Sequence, residues 1–170
     1  MNSVQIILAS SSQTRKALMD RLHIDYISVV PDIDESPRGE NHADDLAQRL
    51  AFEKARYIAE QNPEAIVIGS DQVAWREGAP DIFIGKPLTT EKAIRQLQAN
   101  SDKIVYFSTA LSVQQRSTGF EQSLVEHYKV KFRKLSQAEI ERYIEIEQPL
   151  HCAGSFKCES LGISLLEEMI

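Results

Sequence analysis

Val4-Gln5-Ile6-Ile7-Leu8-Ala9-Ser10-Ser11-Ser12-Gln13-Thr14-Arg15-Lys16 places a strand, a turn and a helix start in one short span. The apolar run over residues 4–8 reads as a buried strand. Small hydroxyl residues follow, and a helical pattern opens at Arg15-Lys16. A strand that feeds such a turn makes a natural anion site, because the free N–H groups of a first helical turn point outward and the helix dipole adds positive potential. Arg15 and Lys16 place two cations beside it. An ordinary serine-capped helix with solvated charges fits the same residues, so the stretch alone leaves both readings open.

Strand and helix signals alternate outward from there. Leu18 and Leu22 share one face of the first helix, and residues 26–30 read as a second strand. An acidic loop follows, Pro31-Asp32-Ile33-Asp34-Glu35-Ser36-Pro37-Arg38. Leu46, Leu50, Ala51, Ala55, Ile58 and Ala59 fall at helical spacing and predict a long amphipathic helix over 44–61. Residues 65–68 read as a short buried strand ending in Gly69-Ser70-Asp71-Gln72-Val73, 78–86 as a loop or hairpin, and 90–99 as a helix with Ala93, Ile94 and Leu97 inward. A long or bent strand is expected over 104–113, with a turn at Ser117-Thr118-Gly119. Tyr128, Val130 and Phe132 alternate with Lys129, Lys131 and Arg133, one face core and the other wet. Ser136-Gln137-Ala138-Glu139 is a capping box, with Leu135 and Ile140 placed as its hydrophobic staple, for a helix ending near Pro149. The pattern is that of an α/β domain with a mixed rather than purely parallel sheet.

Composition narrows the class. The chain has 170 residues, 42% of them hydrophobic and 26% charged, which suits one soluble domain over 1–170 with a real core. A net charge of −6 argues against general nucleic-acid binding, so the lysine-arginine row reads as a solvated sheet face. No apolar run reaches membrane-spanning length and no basic segment leads into a signal-type stretch, which makes the cytoplasm the expected compartment. Cys152 and Cys158 have no second pair to complete a zinc site and read as free thiols.

The charged residues at strand ends carry the chemistry. Asp71, after a buried strand and Gly69-Ser70, is expected at a sheet edge facing a cleft. Glu35 lies on the loop after the second strand, with Asp32 and Asp34 nearby. Two carboxylates from different loops suit Mg²⁺, whose other positions are filled by water and phosphate, and either suits general-base work. Arg15, Lys54 and Lys86 are cations able to neutralise a phosphate chain. A turn cap for Asp71, a solvated acid for Glu35 and a solvated helix lysine for Lys54 are the bland alternatives. Gly85-Lys86-Pro87 is not a P-loop, because the upstream glycine and the following Ser/Thr are missing.

Together these pieces resemble the Maf family of nucleotide pyrophosphatases. Leu8-Ala9-Ser10-Ser11-Ser12-Gln13-Thr14-Arg15 is similar to the family's opening motif, and Asp34-Glu35-Ser36-Pro37-Arg38 to its acidic loop. Glu53-Lys54-Ala55, Gly69-Ser70-Asp71-Gln72-Val73, Gly85-Lys86-Pro87 and the late run His151-Cys152-Ala153-Gly154-Ser155-Phe156-Lys157 follow in the family's order. The resemblance implies a mixed, twisted α/β sheet flanked by helices with a central cleft, similar to inosine triphosphate pyrophosphatases. It implies hydrolysis of a nucleoside triphosphate to monophosphate and pyrophosphate with Mg²⁺ or Mn²⁺, in a homodimer whose partner molecule is a small nucleotide, with no nucleic acid and no membrane.

The same resemblance assigns roles. Ser10 and Ser12 would cradle phosphate, Arg15 and Lys54 would clamp the triphosphate, and Lys86 would stabilise the departing pyrophosphate. Glu35 and Asp71 would hold the metal, and Asp71 would take the proton of the attacking water. Thr14, Gln72 and Glu159 stand at positions associated with base selectivity, and Gln72 with Glu159 and the late run resembles the branch acting on 7-methyl-GTP. A carboxylate there suits the cationic 7-methylguanine ring. The branch acting on dTTP and UTP is the alternative, as is a catalytically impaired nucleotide-binding regulator of cell division, or a phosphohydrolase of phosphosugars that would release inorganic phosphate. Gln13, Thr14, Ala110 and Ser160 depart from the family's usual residues. The chain ends in an apolar run at Ile170, where the family pattern continues with a short loop and helix, so the domain is expected to be short at its C-terminus.

Overall fold

Buried apolar runs become strands and the 3.6-residue periodicities become helices in the computed structural model, which describes residues 4–170. One seven-stranded sheet has the order β2-β1-β3-β5-β6-β7, with β4 also paired to β3. Its strands are β1 (Ile6–Ala9), β2 (Ile27–Val29), β3 (Ile66–Arg76), β4 (Ala79–Ile84), β5 (Ile104–Gln115), β6 (Phe120–Phe132) and β7 (Leu166–Met169). The helices are α1 (Gln13–Asp20), α2 (Ala43–Gln61), α3 (Thr90–Asn100) and α4 (Gln137–Glu147). β1 runs parallel to β2 and β3, whereas β3–β4 and β6–β7 are antiparallel, so the sheet is mixed as its sequence pattern predicts. No helix among the described residues is long and apolar enough to cross a membrane.

By its contacts the chain divides into two compact units. The first takes in residues up to Glu40, Asp44–Asp71 and Thr109–Glu126. Its core is Ile7 and Ala9 of β1, Val67 of β3, Ala65, and Ala55, Ile58 and Ala59 of α2, with Val29 packed at the margin. The inward stripe of α2 is rich in alanine, which lets the helix lie close to the sheet. Gly69 takes this furthest: a Cβ there would stand 2.2 Å from the Ala51 carbonyl oxygen and 2.6 Å from the Ala55 nitrogen. Asp44 and Asp45 in the first turn of α2 complement its dipole. Buried Gln114 of β5 donates to Ser112 Oγ and to the Phe52 carbonyl, both at 3.2 Å, so its amide is satisfied.

Two expectations need correction in this unit. The first helix ends at Asp20, so Leu22 lies beyond it and shares no helical face with Leu18; the two are 61% and 53% exposed, and Met19 is the buried residue of α1. The expected short strand over 65–68 is the first part of an eleven-residue strand. Asp71 therefore sits within β3 rather than after it, and β3 is flanked by β1 and β5 rather than at a sheet edge.

The second unit comprises Asn41–Ala43, Gln72–Ser108 and His127–Ile170. Its core gathers Ala93 and Leu97 of α3, Val105 and Phe107 of β5, Val130 and Phe132 of β6, Ile140, Tyr143 and Ile144 of α4, and Phe156. β3 and β4 form a hairpin, and Gly78 supplies the positive φ of 81° that its turn needs. Thr89 caps α3 and Ser136 caps α4; the Ser136–Glu139 capping box closes in both directions. Trp75 stacks on Tyr106 with ring centroids 4.2 Å apart and planes 9° from parallel. Lys129, Lys131 and Arg133 are partly exposed, and two of them pair with Glu167 and Glu139.

Candidate active site

The first unit concentrates its buried polarity at one end of the parallel strands. The β1–β3 ladder closes at Ala9↔Gly69. Beyond it β1 turns into Ser10 and the start of α1, while β3 runs on to Asp71. Carboxyl ends of parallel strands are where α/β sheets bind ligands, because the connecting turns and helix starts meet there. Ser12 is the N-cap of α1, its Oγ accepting the Arg15 N–H at 3.3 Å. Ser10 is buried; its Oγ accepts the Ser12 N–H at 3.1 Å and an Arg15 Nη1 contact at 3.5 Å. Ser28 Oγ donates to the Ser10 carbonyl at 2.6 Å and ties this turn to β2.

Lys54 links the acids. It projects from α2 beside the Ala51 and Ala55 contact with Gly69, and only 5% of it is exposed. Its Nζ donates to Asp71 Oδ1 at 2.6 Å and pairs with Glu35 Oε1 at 3.0 Å. Asp71 is 8% exposed. A buried ammonium and a buried carboxylate each carry a heavy desolvation cost, which their contact offsets. Arg15 belongs to the same field. Burial lowers the pKa of its guanidinium, and the charges of Asp71 and Glu35 act against that lowering. Two cations and two carboxylates from α1, α2, β3 and the acidic loop thus share one locality, with hydroxyls and a helix start beside them.

The acidic loop is held by Arg49 and Glu40, which sequence reasoning passed over, together with Arg38 and Glu53 of the quoted motifs. Arg49 of α2 donates from Nε to Glu40, from Nη1 to Glu53 at 3.1 Å and from Nη2 to the Ser36 carbonyl at 2.8 Å. Arg38 reaches Glu53 at 2.6 Å through its side chain and donates its N–H to Glu40. Those two hydrogen bonds hold the Glu40 carboxyl well below the usual range, at about 2, with Arg49 the larger influence. An arginine four residues before a glutamate on one helix was the available signal, but such pairs are common on solvated faces.

The remaining sequence-selected residues fall as follows. Thr14 is exposed in the first turn of α1. Gln72, Lys86 and Glu159 belong to the second unit and are exposed, Gln72 on β3, Lys86 on the segment between β4 and α3, and Glu159 after Cys158, whose thiol donates to it at 3.4 Å. In that unit Glu147 anchors the Glu159 segment: it accepts Ser160 Oγ at 2.6 Å and the Leu161 N–H at 3.1 Å, while Lys157 Nζ donates to its carbonyl at 2.7 Å. Ser155 takes a positive φ of 58°, and a Cβ on Gly162 would meet the Lys157 carbonyl at 2.0 Å, so the late run is tightly built. Both cysteines are free thiols with pKa raised by burial.

The chain as a whole has matches among known proteins. A family model described as Maf-like protein covers residues 5–170. The chain belongs to the Maf-like family. This Maf-like chain is 67% identical over 168 residues to a nucleoside triphosphate pyrophosphatase of Acinetobacter baylyi, covering 99% of the chain and 85% of the relative. It is 47% identical over 164 residues to a 7-methyl-GTP pyrophosphatase of Alcanivorax borkumensis, with 96% and 82% covered. Among solved structures, a HAM1 protein from Coxiella burnetii shares the Maf-like fold at a TM-score of 0.54 and 21% identity, over 76% of this chain and 73% of that one.

Proposed function

We propose that this Maf-like protein is a nucleoside triphosphate pyrophosphatase whose preferred substrate is 7-methyl-GTP. One observation carries the reading: Lys54 is buried between Glu35 and Asp71, with Arg15 in the same field and the Ser10–Ser12 helix start beside it. Cations, helix-start N–H groups and a carboxylate in one place meet the needs of phosphoryl transfer, which asks for positioning and charge neutralisation more than covalent work. The 67% identity to the Acinetobacter pyrophosphatase supports the reaction class, and the 47% identity to the Alcanivorax enzyme supports the choice of base.

In the proposed reaction Arg15 and Lys54 bind the phosphate chain, and Ser10 and Ser12 orient it. Asp71 accepts the proton of a water that attacks the α-phosphorus. The bond from the α-phosphorus to its bridging oxygen breaks, and pyrophosphate leaves with its charge met by Lys86. Thr14, Gln72 and Glu159 select the base; the Glu159 carboxylate favours the positive charge of 7-methylguanine and accepts from the guanine N1–H and amino edge.

The donor set fits a hard divalent cation such as Mg²⁺ or Mn²⁺. Glu35 and Asp71 offer carboxylate oxygens that converge on one ammonium. Mg²⁺ is commonly held by one or two carboxylates and completed by water and phosphate. When bound, the ion would supply neutralisation of charge on the phosphate oxygens. The working unit proposed is a homodimer, as the family resemblance implies, and its mass in solution tests it.

The experiment is a substrate panel of 7-methyl-GTP, GTP, dTTP and UTP with Mg²⁺ or Mn²⁺, scored for pyrophosphate. The expected result is pyrophosphate release, fastest from 7-methyl-GTP, and abolished by Asp71→Asn. Preference for dTTP or UTP would overturn the base assignment. Nucleotide binding with no product would make the chain a binding protein, and release of inorganic phosphate would point to a different hydrolase.

A further inference from the structure

We propose that Arg49 is a positioning residue that sets the Glu35 carboxylate through a clasp on the loop backbone. Glu35 sits in a segment of irregular backbone between β2 and α2, so nothing periodic fixes it. The next residue, Ser36, is held at both its N–H and its carbonyl. The Ser36 N–H donates to Asp34 Oδ1 at 2.9 Å, and the Ser36 carbonyl accepts Arg49 Nη2 at 2.8 Å. Two residues on, the Arg38 N–H donates to Glu40, whose other oxygen accepts Arg49 Nε. Glu53 closes the ring by accepting from both Arg49 and Arg38. The single guanidinium of Arg49 thus touches the loop at Ser36 and Glu40 and its own helix at Glu53, and the side chains of Arg49 and Glu40 are only 18% and 12% exposed.

This arrangement needs an arginine. A guanidinium presents rigid, divergent N–H groups that can serve three acceptors at once, whereas a lysine ammonium is a point charge on a flexible stem. It also joins the loop to the helix that carries Lys54, one residue after Glu53. The spacing between Glu35 and Lys54 is therefore set by α2 at both ends: Lys54 by its place on the helix, Glu35 by its neighbour's bond to Arg49. Arg49 touches none of the reacting groups and acts only through Glu35.

The kinetic arm of the test rests on the proposed pyrophosphatase reading; the exchange arm does not. Arg49→Ala, Arg49→Lys and the milder Glu40→Gln are compared with Glu35→Gln and with Glu35→Gln/Arg49→Ala. Arg49→Ala is expected to lower kcat for pyrophosphate release by about tenfold or more, with nucleotide KM little changed, the scale usual for groups that orient a ligand-holding side chain. Arg49→Lys should restore little of it. In the Glu35→Gln background, Arg49→Ala should cost nothing further, because two residues acting through one carboxylate are not additive. Additive losses would overturn the proposal. Amide exchange should speed up at Ser36 and Arg38 in Arg49→Ala and at Arg38 in Glu40→Gln, with the amides of α2 unchanged. Faster exchange along all of α2 would show a general support role and overturn it too. If the native protein releases no pyrophosphate from any nucleotide, the functional reading fails, and the exchange pattern alone decides the clasp.

Discussion

Lys54 brings an ammonium group into a position where only 5% of the residue meets water, held by Asp71 at 2.6 Å and Glu35 at 3.0 Å. Removing one partner of such a contact leaves the other desolvated and unpaired, which costs about 3–5 kcal/mol. Lys54→Met is therefore expected to lower unfolding free energy by about that amount, measured by urea denaturation. Lys54→Met/Asp71→Asn should recover part of the loss, since the Asp71 carboxylate no longer stands unpaired and Arg15 keeps Glu35 as its counter-charge; failure to recover would assign the loss to packing. At this scale the sequence was partly legible. Arg15, Glu35, Lys54 and Asp71 stand out through their local motifs, and the structure gathers them in one unit. Arg49 and Glu40 did not stand out, because an arginine on a helix and an acid on a loop look the same whether solvated or locked together. Only the fold shows that Arg49 and Glu40 are largely covered.

Among the elements, β3 explains most. Gly69 within it receives the backbone of α2, and Gly69→Ala would drive a methyl carbon against the Ala51 carbonyl. The helix must move or the strand must bend, at about 1–3 kcal/mol, and the Lys54–Asp71 contact should lengthen with it. A fall in Tm with loss of activity larger than the loss of folded protein would be the signature. Ser136→Ala tests the helix signals in the same way: it removes the α4 capping box and should cost about 1 kcal/mol. The helices α2, α3 and α4 were readable because caps and apolar stripes coincide. β3 was not readable at full length, since Gly69-Ser70-Asp71 has the chemistry of a turn, and only pairing with neighbouring strands keeps it extended. Leu18 and Leu22 show the converse limit: leucines at helical spacing that a helix ending at Asp20 does not bring onto one face.

Over the whole molecule, acid is the expected weakness. Glu40 in the first unit and Glu139 in the second are both held at about 2, chiefly by the Arg49 bond in one case and the Ser136 N–H in the other, against an ordinary value of 4.5. A folded-state pKa below the unfolded one contributes stability that is complete above the unfolded value and lost as pH falls towards the folded one. Tm should thus hold near neutrality and fall between about pH 4.5 and pH 2, less steeply in Glu40→Gln and Glu139→Gln. A slope unchanged by both substitutions would remove these carboxylates as the cause. The fold class, too, was legible at this scale, since alternating strand and helix signals with one antiparallel-type row admit few arrangements. The cluster of Lys54, Arg15, Glu35 and Asp71 has one more effect, on capture from a distance. Two positive and two negative groups cancel, and the surrounding protein carries a net charge of −6. An approaching polyanion feels no long-range pull from such a quartet, so its association rate at low occupancy should not fall as ionic strength rises, unlike that of enzymes that steer their ligands electrostatically.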